Sequence, residues 1–271
     1  MARFSLYLLA LFPLVAHVNA ATYSISDNFV GQSFLSGFSV LNIADPTHGR
    51  VNYVDANTAR NQNLTYGSGD TFILRADSKS VLNPNGPGRN SVRLQSNKQF
   101  GRSVMVDAGC VMPAQRQQTG TSLQLDCDVA ANGNAGCGVQ LPQWNSYGPA
   151  FNSNGGGWYA VERNNDFIKV WFWARNDGSV PGDVRNGASN VNTDGWGTPV
   201  AYFPSTGSCN IAQKFGAHHI IINLTFCGDW AGQSSIYSSA GCPGTCVDYV
   251  NNNPGAFAQA YFDFASVKVY Q

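Results

Sequence analysis

The chain has 271 residues, with 16 basic and 16 acidic side chains and no formal net charge. Only 12% of its residues are charged, so no electrostatic footprint points to nucleic acid or to an anionic membrane surface. The length is enough for one large β domain.

Residues 1–20, MARFSLYLLALFPLVAHVNA, begin with Arg3, run apolar from Leu6 to Val15 and end on Val18-Asn19-Ala20. That is the pattern of a secretory signal peptide with a small-residue cleavage site; the apolar run is too short to anchor a chain in a bilayer. The mature protein is then a secreted, extracellular single domain over 21–271. Beyond it, period-two alternation dominates. TFILRA turns Phe72, Leu74 and Ala76 one way and Thr71, Ile73 and Arg75 the other. RNSVRLQ can bury Val92 and Leu94, leaving Arg89, Ser91, Arg93 and Gln95 on a polar face. FIKVWFW separates Ile168, Val170 and Phe172 from Phe167, Lys169, Trp171 and Trp173. IIINLTF separates Ile220, Ile222, Leu224 and Phe226 from Ile221, Asn223 and Thr225. Glycine-rich turns such as NPNGPG, NSNGGG and NDGSVPGD punctuate the strands, and only TCVDYVNN, closed by Pro254-Gly255, reads as a short helix. The expectation is an all-β protein, an antiparallel β-sandwich in one domain.

The seven cysteines are Cys110, Cys127, Cys137, Cys209, Cys227, Cys242 and Cys246. In a secreted chain they pair as disulfides. Zinc is the competing reading, but the chain has no Cys-x-x-Cys pair and its mature part holds three histidines. An odd count leaves at least one thiol without a partner in the chain. Cofactor signatures are missing: GNAGCG resembles a dinucleotide fingerprint but lacks the preceding strand and following helix that phosphate binding needs, so no cofactor is expected. His218 and His219 are adjacent and point to opposite faces of a strand, which disfavours shared metal binding.

What remains is sugar chemistry. Aromatic faces stack on pyranose rings, while amides and guanidinium groups bind hydroxyls, and the chain has six Trp and eleven Tyr. Trp230, after NLTFCGD, can overhang a sheet-end cleft or pack on Cys227; Arg89 and Arg93 sit where cleft-lining residues would. Two Asn-Leu-Thr sequons are present, and Asn63, before the turn YGSGD, is the more accessible glycosylation site than Asn223, inside an apolar strand.

The segments IADPTHGRVNYVD, NLTYGSGDTFILRAD, GPGRNSVRL, NSYGPAFNSNGGGWYAVER, NTDGWGTPVAYFP, IIINLTFCGDWAG and CVDYVNNNP together closely resemble the secreted fungal endo-β-1,3(4)-glucanases (laminarinases) of glycoside hydrolase family 16. The resemblance runs in order along nearly the whole mature chain. It implies a jelly-roll sandwich of the concanavalin A-like kind, whose concave sheet holds a β-glucan as partner and substrate. It implies retaining hydrolysis by two glutamates in a Glu-x-Asp-x-x-Glu motif on one strand. It also places Trp230 and Arg89 in the glucan groove, and it suggests Asp263 as a calcium ligand near the carboxyl-terminal strand. A monomer is expected.

The motif itself cannot be present, because Glu162 is the only glutamate. SVRLQSNKQFGRSVMVDAGC passes from a strand into a cysteine segment with only Gly101 as a turn signal. The family pattern puts a tryptophan-rich segment and the catalytic strand at that junction, with a further cysteine. The concave sheet is therefore expected to be incomplete and the chain inactive, with no catalytic residue to name; the alternative is a lectin-like glucan-binding protein. Asp126 and Asp128, spaced i, i+2, are the remaining candidate carboxylate pair, although their setting reads as a loop. The orphan thiol is expected at Cys110, beside the junction.

Overall fold

A computed structural model describes residues 21–101, 109–128, 130, 131, 133 and 135–271. The signal-peptide expectation at 1–20, and much of the abrupt junction at 102–108, therefore lie outside the described residues.

The described residues form sixteen strands joined by glycine-rich turns and short helices. In chain order the strands are β1 (Thr22–Phe29), β2 (Phe38–Val40), β3 (Val51–Tyr53), β4 (Thr65–Ser68), β5 (Thr71–Arg75), β6 (Arg89–Ser91), β7 (Arg93–Phe100) and β8 (Thr121–Ser122). They continue with β9 (Val139–Gln140), β10 (Gly157–Arg163), β11 (Phe167–Ala174), β12 (Asn190–Asn192), β13 (Ala201–Pro204), β14 (His218–Asn223), β15 (Tyr261–Phe264) and β16 (Val267–Tyr270). Four three-stranded sheets result, in the orders β12-β1-β16, β10-β11-β13, β14-β7-β2 and β15-β5-β4. Pairing is antiparallel throughout except between β3 and β6, which run parallel from Val51↔Arg89 to Tyr53↔Ser91. The expected helix is present as Cys246–Asn252, capped by the Thr245 hydroxyl on the Asp248 amide.

Alternation decides which side chains enter the core. Phe72 and Leu74 of β5, Leu94 of β7 and Ile222 of β14 pack with Phe34, Phe38 and Val92. Phe34 stacks on Phe72 with centroids 4.4 Å apart. On the opposite face of β7 and β14, Arg93, Gln95, Ile221 and Asn223 stay at least partly open, because Ile221↔Gln95 and Asn223↔Arg93 are cross-strand neighbours. In β11 both faces are covered. Trp171 and Trp173 meet Trp196 edge-on at 5.3 and 5.7 Å, while Phe172 packs on Phe151 and Tyr159. The separation of faces expected for FIKVWFW is the one seen, and Ile220, Ile222 and Leu224 share the core as expected, whereas Phe226, past the end of β14, packs on Phe257.

Disulfides join Cys110 to Cys209, Cys127 to Cys137 and Cys227 to Cys246. The expectation of a free Cys110 is therefore corrected: the free cysteine is Cys242, which is exposed. Proximity to the junction misleads because the Cys110 carbonyl accepts from the Cys127 amide (2.8 Å). That pairing holds Cys110 in a buried cluster with Met112, Cys209 and Ile211. Alkylation of denatured, unreduced protein followed by peptide mapping is expected to label Cys242 alone; label on Cys110 or Cys209 would contradict this pairing.

Candidate glucan-binding face

The open face of the β14-β7-β2 sheet ends in a network centred on Asp45. Its carboxylate accepts from Thr47 Oγ1 (2.6 Å), Thr225 Oγ1 (2.7 Å), the Gly49 amide (2.9 Å) and Tyr53 Oη (3.2 Å). The Asn223 amide donates to the same Tyr53 hydroxyl at 2.7 Å, and the Arg93 guanidinium lies 5.9 Å from the Tyr53 ring centroid. Arg93 Nε is buried and has no hydrogen-bond partner among the described residues. Beyond Thr47, whose carbonyl accepts from the Asp229 amide, the Asp229 carboxylate meets His48 Nδ1 at 3.0 Å. Trp230 follows directly, 50% exposed, so its ring faces solvent instead of being buried against the Cys227–Cys246 disulfide. An indole, a guanidinium, a primary amide and an imidazole–carboxylate pair thus share one end of one sheet. That combination suits the apolar faces and hydroxyls of a pyranose.

Arg89 is not part of this face, contrary to expectation. It is fully buried, and its guanidinium donates to the carbonyls of Asp77 (3.0 Å), Ser80 (3.1 Å) and Val250, with Phe257 stacked 5.1 Å away. The alternation in RNSVRLQ holds, but the helix Cys246–Asn252 and the loop at 77–80 cover the half of its polar face that belongs to β6. Arg93, four residues on and paired with Asn223, is the arginine left on the open side. The residues that sequence reasoning missed are Asp45, Tyr53 and His48, which come from an irregular segment and a three-residue strand with no periodicity to read.

The other candidates separate. Asp126 Oδ1 accepts from the Asp128 amide (3.0 Å) and Asp128 Oδ1 from the Ala130 amide (2.9 Å), so the pair caps a turn instead of facing across a cleft. Asp263 is exposed on β15 opposite Ile73, and no group of three or more His, Cys, Asp or Glu suited to a metal occurs among the described residues. His218 and His219 hold separate partners, Arg163 (2.9 Å) and the Ser96 carbonyl (2.7 Å). Glu162 is 5% exposed; Tyr23 Oη donates to its Oε1 at 2.8 Å, and Lys169 Nζ lies 4.0 Å from its Oε2. Burial, reinforced by that carboxylate, pushes the Tyr23 hydroxyl up to about 12, so it stays a donor.

Residues 38–115 and 105–270 match the model of the XgeA-like, catalytic GH16 domain. This chain belongs to glycoside hydrolase family 16. It is 37% identical over 302 positions to a probable glycosidase of Schizosaccharomyces pombe, covering 93% of this chain and 70% of that protein. It is 32% identical over 319 positions to a probable endo-1,3(4)-beta-glucanase of Aspergillus niger, covering 97% of this chain but 42% of that protein. The chain thus spans less than half of the Aspergillus relative. Among solved structures, Laminarinase 16A of Phanerochaete chrysosporium, seen with 6-O-glucosyl-laminaritriose in donor and acceptor sites, superposes with a TM-score of 0.89 at 53% identity. That match covers 93% of this chain and 100% of the laminarinase chain. An elongating GH family 16 beta-1,3-glucosyltransferase superposes at 0.82 with 28% identity, over 92% of this chain and 100% of that one. The jelly-roll expectation is borne out by these neighbours.

Two measurements follow from the site. Burial raises the Asp45 pKa, but the hydrogen bonds from Thr47, Thr225 and Gly49 outweigh it and hold the group below its usual value. A depressed carboxylate stabilises the fold above its unfolded pKa, and that contribution is lost as pH falls through the folded one. Asp45→Asn is therefore expected to lower stability by about 1 kcal/mol near pH 7, with the gap closing in acid, read by urea titration at several pH values. Asn63 is exposed in a turn at φ 53°, whereas the Asn223 amide is engaged by Tyr53. Glycopeptide mapping is expected to find sugar on Asn63 and not on Asn223.

Proposed function

We propose that this chain is the scaffold of a secreted retaining endo-β-1,3(4)-glucanase without its catalytic strand, able to hold β-glucan weakly along one flank but not to cleave it. Glu162 carries the reading. It is the only glutamate in the sequence, it is buried, and its neighbours are Tyr23 and Lys169. Retaining hydrolysis needs two carboxyl groups about 5 Å apart across the scissile bond, one as nucleophile and one as acid and base. Among the described residues the partners of its carboxylate are a hydroxyl and an ammonium, with no carboxyl group paired to it.

The matches to relatives support the same reading. The alignment with the Schizosaccharomyces relative runs over 302 positions while drawing on 93% of the 271 residues, so about fifty positions have no residue here. The family model matches in two pieces that overlap at 105–115, beside the abrupt junction in the sequence. The strand orders add a third support. β10 and β14 each end a sheet, and Val161, in the middle of β10, is 66% exposed. In a complete sandwich the apolar side chains in the middle of a strand are buried, so Val161 is the exception that a missing neighbour explains.

Trp230 and Arg93, with Asn223, form the flank assigned to glucan. Arg89 lies outside it, fully buried against the carbonyls of Asp77, Ser80 and Val250. The test uses the protein as sequenced. Reducing-sugar release from laminarin should not exceed a heat-killed control; release abolished by Asp126→Asn would overturn the reading. In laminarin affinity electrophoresis, Trp230→Ala and Arg93→Ala should each weaken retardation about fivefold, since one lost stacking contact is worth about 1 kcal/mol. Sequencing the transcript across the codons for Gln95 to Cys110 separates the two origins: a longer message means an incomplete enzyme, a matching one a lectin-like protein.

A further inference from the structure

β10 is bonded to β11 on one side only, and no strand occupies its other edge among the described residues. The pairing shows which groups point outward. The Arg175 amide donates to the Gly156 carbonyl, and Trp158↔Trp173, Ala160↔Trp171 and Glu162↔Lys169 are in register, so the even-numbered residues of β10 bond to β11. Gly157, Tyr159, Val161 and Arg163 therefore turn their N–H and C=O groups to the open edge. Tyr159 and Val161 also share one face, and they are 53% and 66% exposed. Next to them the Tyr159 hydroxyl donates to the Ser146 carbonyl, which holds a loop that presents Trp144 and Tyr147, 78% and 79% exposed. The edge has no proline and no lysine, two of the residues by which soluble sheets protect such edges.

We propose that β10 pairs antiparallel with β10 of a second copy about a twofold axis at Ala160, joining two three-stranded sheets into one. In that register Tyr159 lies opposite the partner's Val161, twice, which gives two aromatic–β-branched cross-strand pairs. Gly157 lies opposite the partner's Arg163, and Trp158 opposite the partner's Glu162, so no like charges meet. Every outward-pointing residue finds a partner; a shift of two residues in either direction leaves one unpaired. The chain carries no net charge to oppose association. The exposed Trp144 and Tyr147 extend the apolar surface beside the joined strands. This replaces the expected monomer and rests on the reading that the chain lacks its catalytic strand; the transcript sequence tests that reading separately.

The experiment uses a Cys242→Ser background, so that the free thiol cannot link copies. Size-exclusion chromatography with light scattering over a concentration series is expected to show twice the chain mass at the upper end. Val161→Lys should raise the dimer dissociation constant about tenfold or more, while Val247→Lys, at a 44% exposed helix position, should leave it unchanged. In a second arm, separately purified Tyr159→Cys and Val161→Cys proteins are mixed and oxidised. Residues in such a pair have Cα atoms about 5.5 Å apart, within disulfide reach, so covalent dimers should form in the mixture in clear excess over either protein alone. A monomer at every concentration, mass growing without limit through a head-to-tail contact, or cross-linking no better in the mixture would each overturn the proposal.

Discussion

Backbone hydrogen bonding at the ends of sheets governs most of what is distinctive in this protein. A strand carries two rows of N–H and C=O groups, and each row must meet another strand, a covering segment or water. β7 satisfies both rows, between β14 and β2, and its inward residues Leu94 and Ser96 are buried. Among the described residues, β10 and β14 pair along one row each. On β10 the consequence reaches the side chains, because Tyr159 and Val161 stand exposed in the middle of a strand whose neighbour β11 is buried from Trp171 to Ala174.

Burial of polar groups follows an equally strict rule, and it separates structural from binding residues. Arg89 is enclosed, but three carbonyls and the Phe257 ring replace the water it gives up. Such a guanidinium ties β6 to the carboxyl-terminal helix and, being fully enclosed, is out of reach of a sugar. Glu162 is enclosed in a similar way, linking β1 through Tyr23 to the tryptophan-rich sheet. Arg93, beside the Tyr53 ring, stays partly open, and Trp230 keeps half its surface in water. Exposure at one end of the β14-β7-β2 sheet is what separates the proposed glucan face from these buried braces.

Much of the fold was legible because a strand's side chains alternate with a period of two. Phe72 and Leu74 in TFILRA, and Trp171 and Trp173 against Phe172 in FIKVWFW, occupy the faces that alternation assigns. The helix at TCVDYVNN was legible from the Pro254-Gly255 stop, and its Thr245 cap appears only in the structure. The parallel pairing of β3 with β6 was not legible, since three-residue strands carry too little pattern. The errors at Arg89 and Cys110 share a cause. Alternation says which face a residue occupies but not what covers that face, and position along the chain does not say which sulfur lies within reach.

Composition and order alone determined that Glu162 has no glutamate partner, that the cysteine count is odd and that the chain resembles a glucanase family along most of its length. These are properties of the list of residues and need no coordinates. Only the tertiary structure decided that Cys242 is the unpaired thiol, that Arg93 and not Arg89 stays open, and that Asp45, Tyr53, His48 and Asp229 gather beside Trp230. Each depends on segments far apart in sequence, such as Asp45 and Thr225, meeting within hydrogen-bonding distance. Such meetings are set by how sheets and covering loops pack, which local periodicity does not encode.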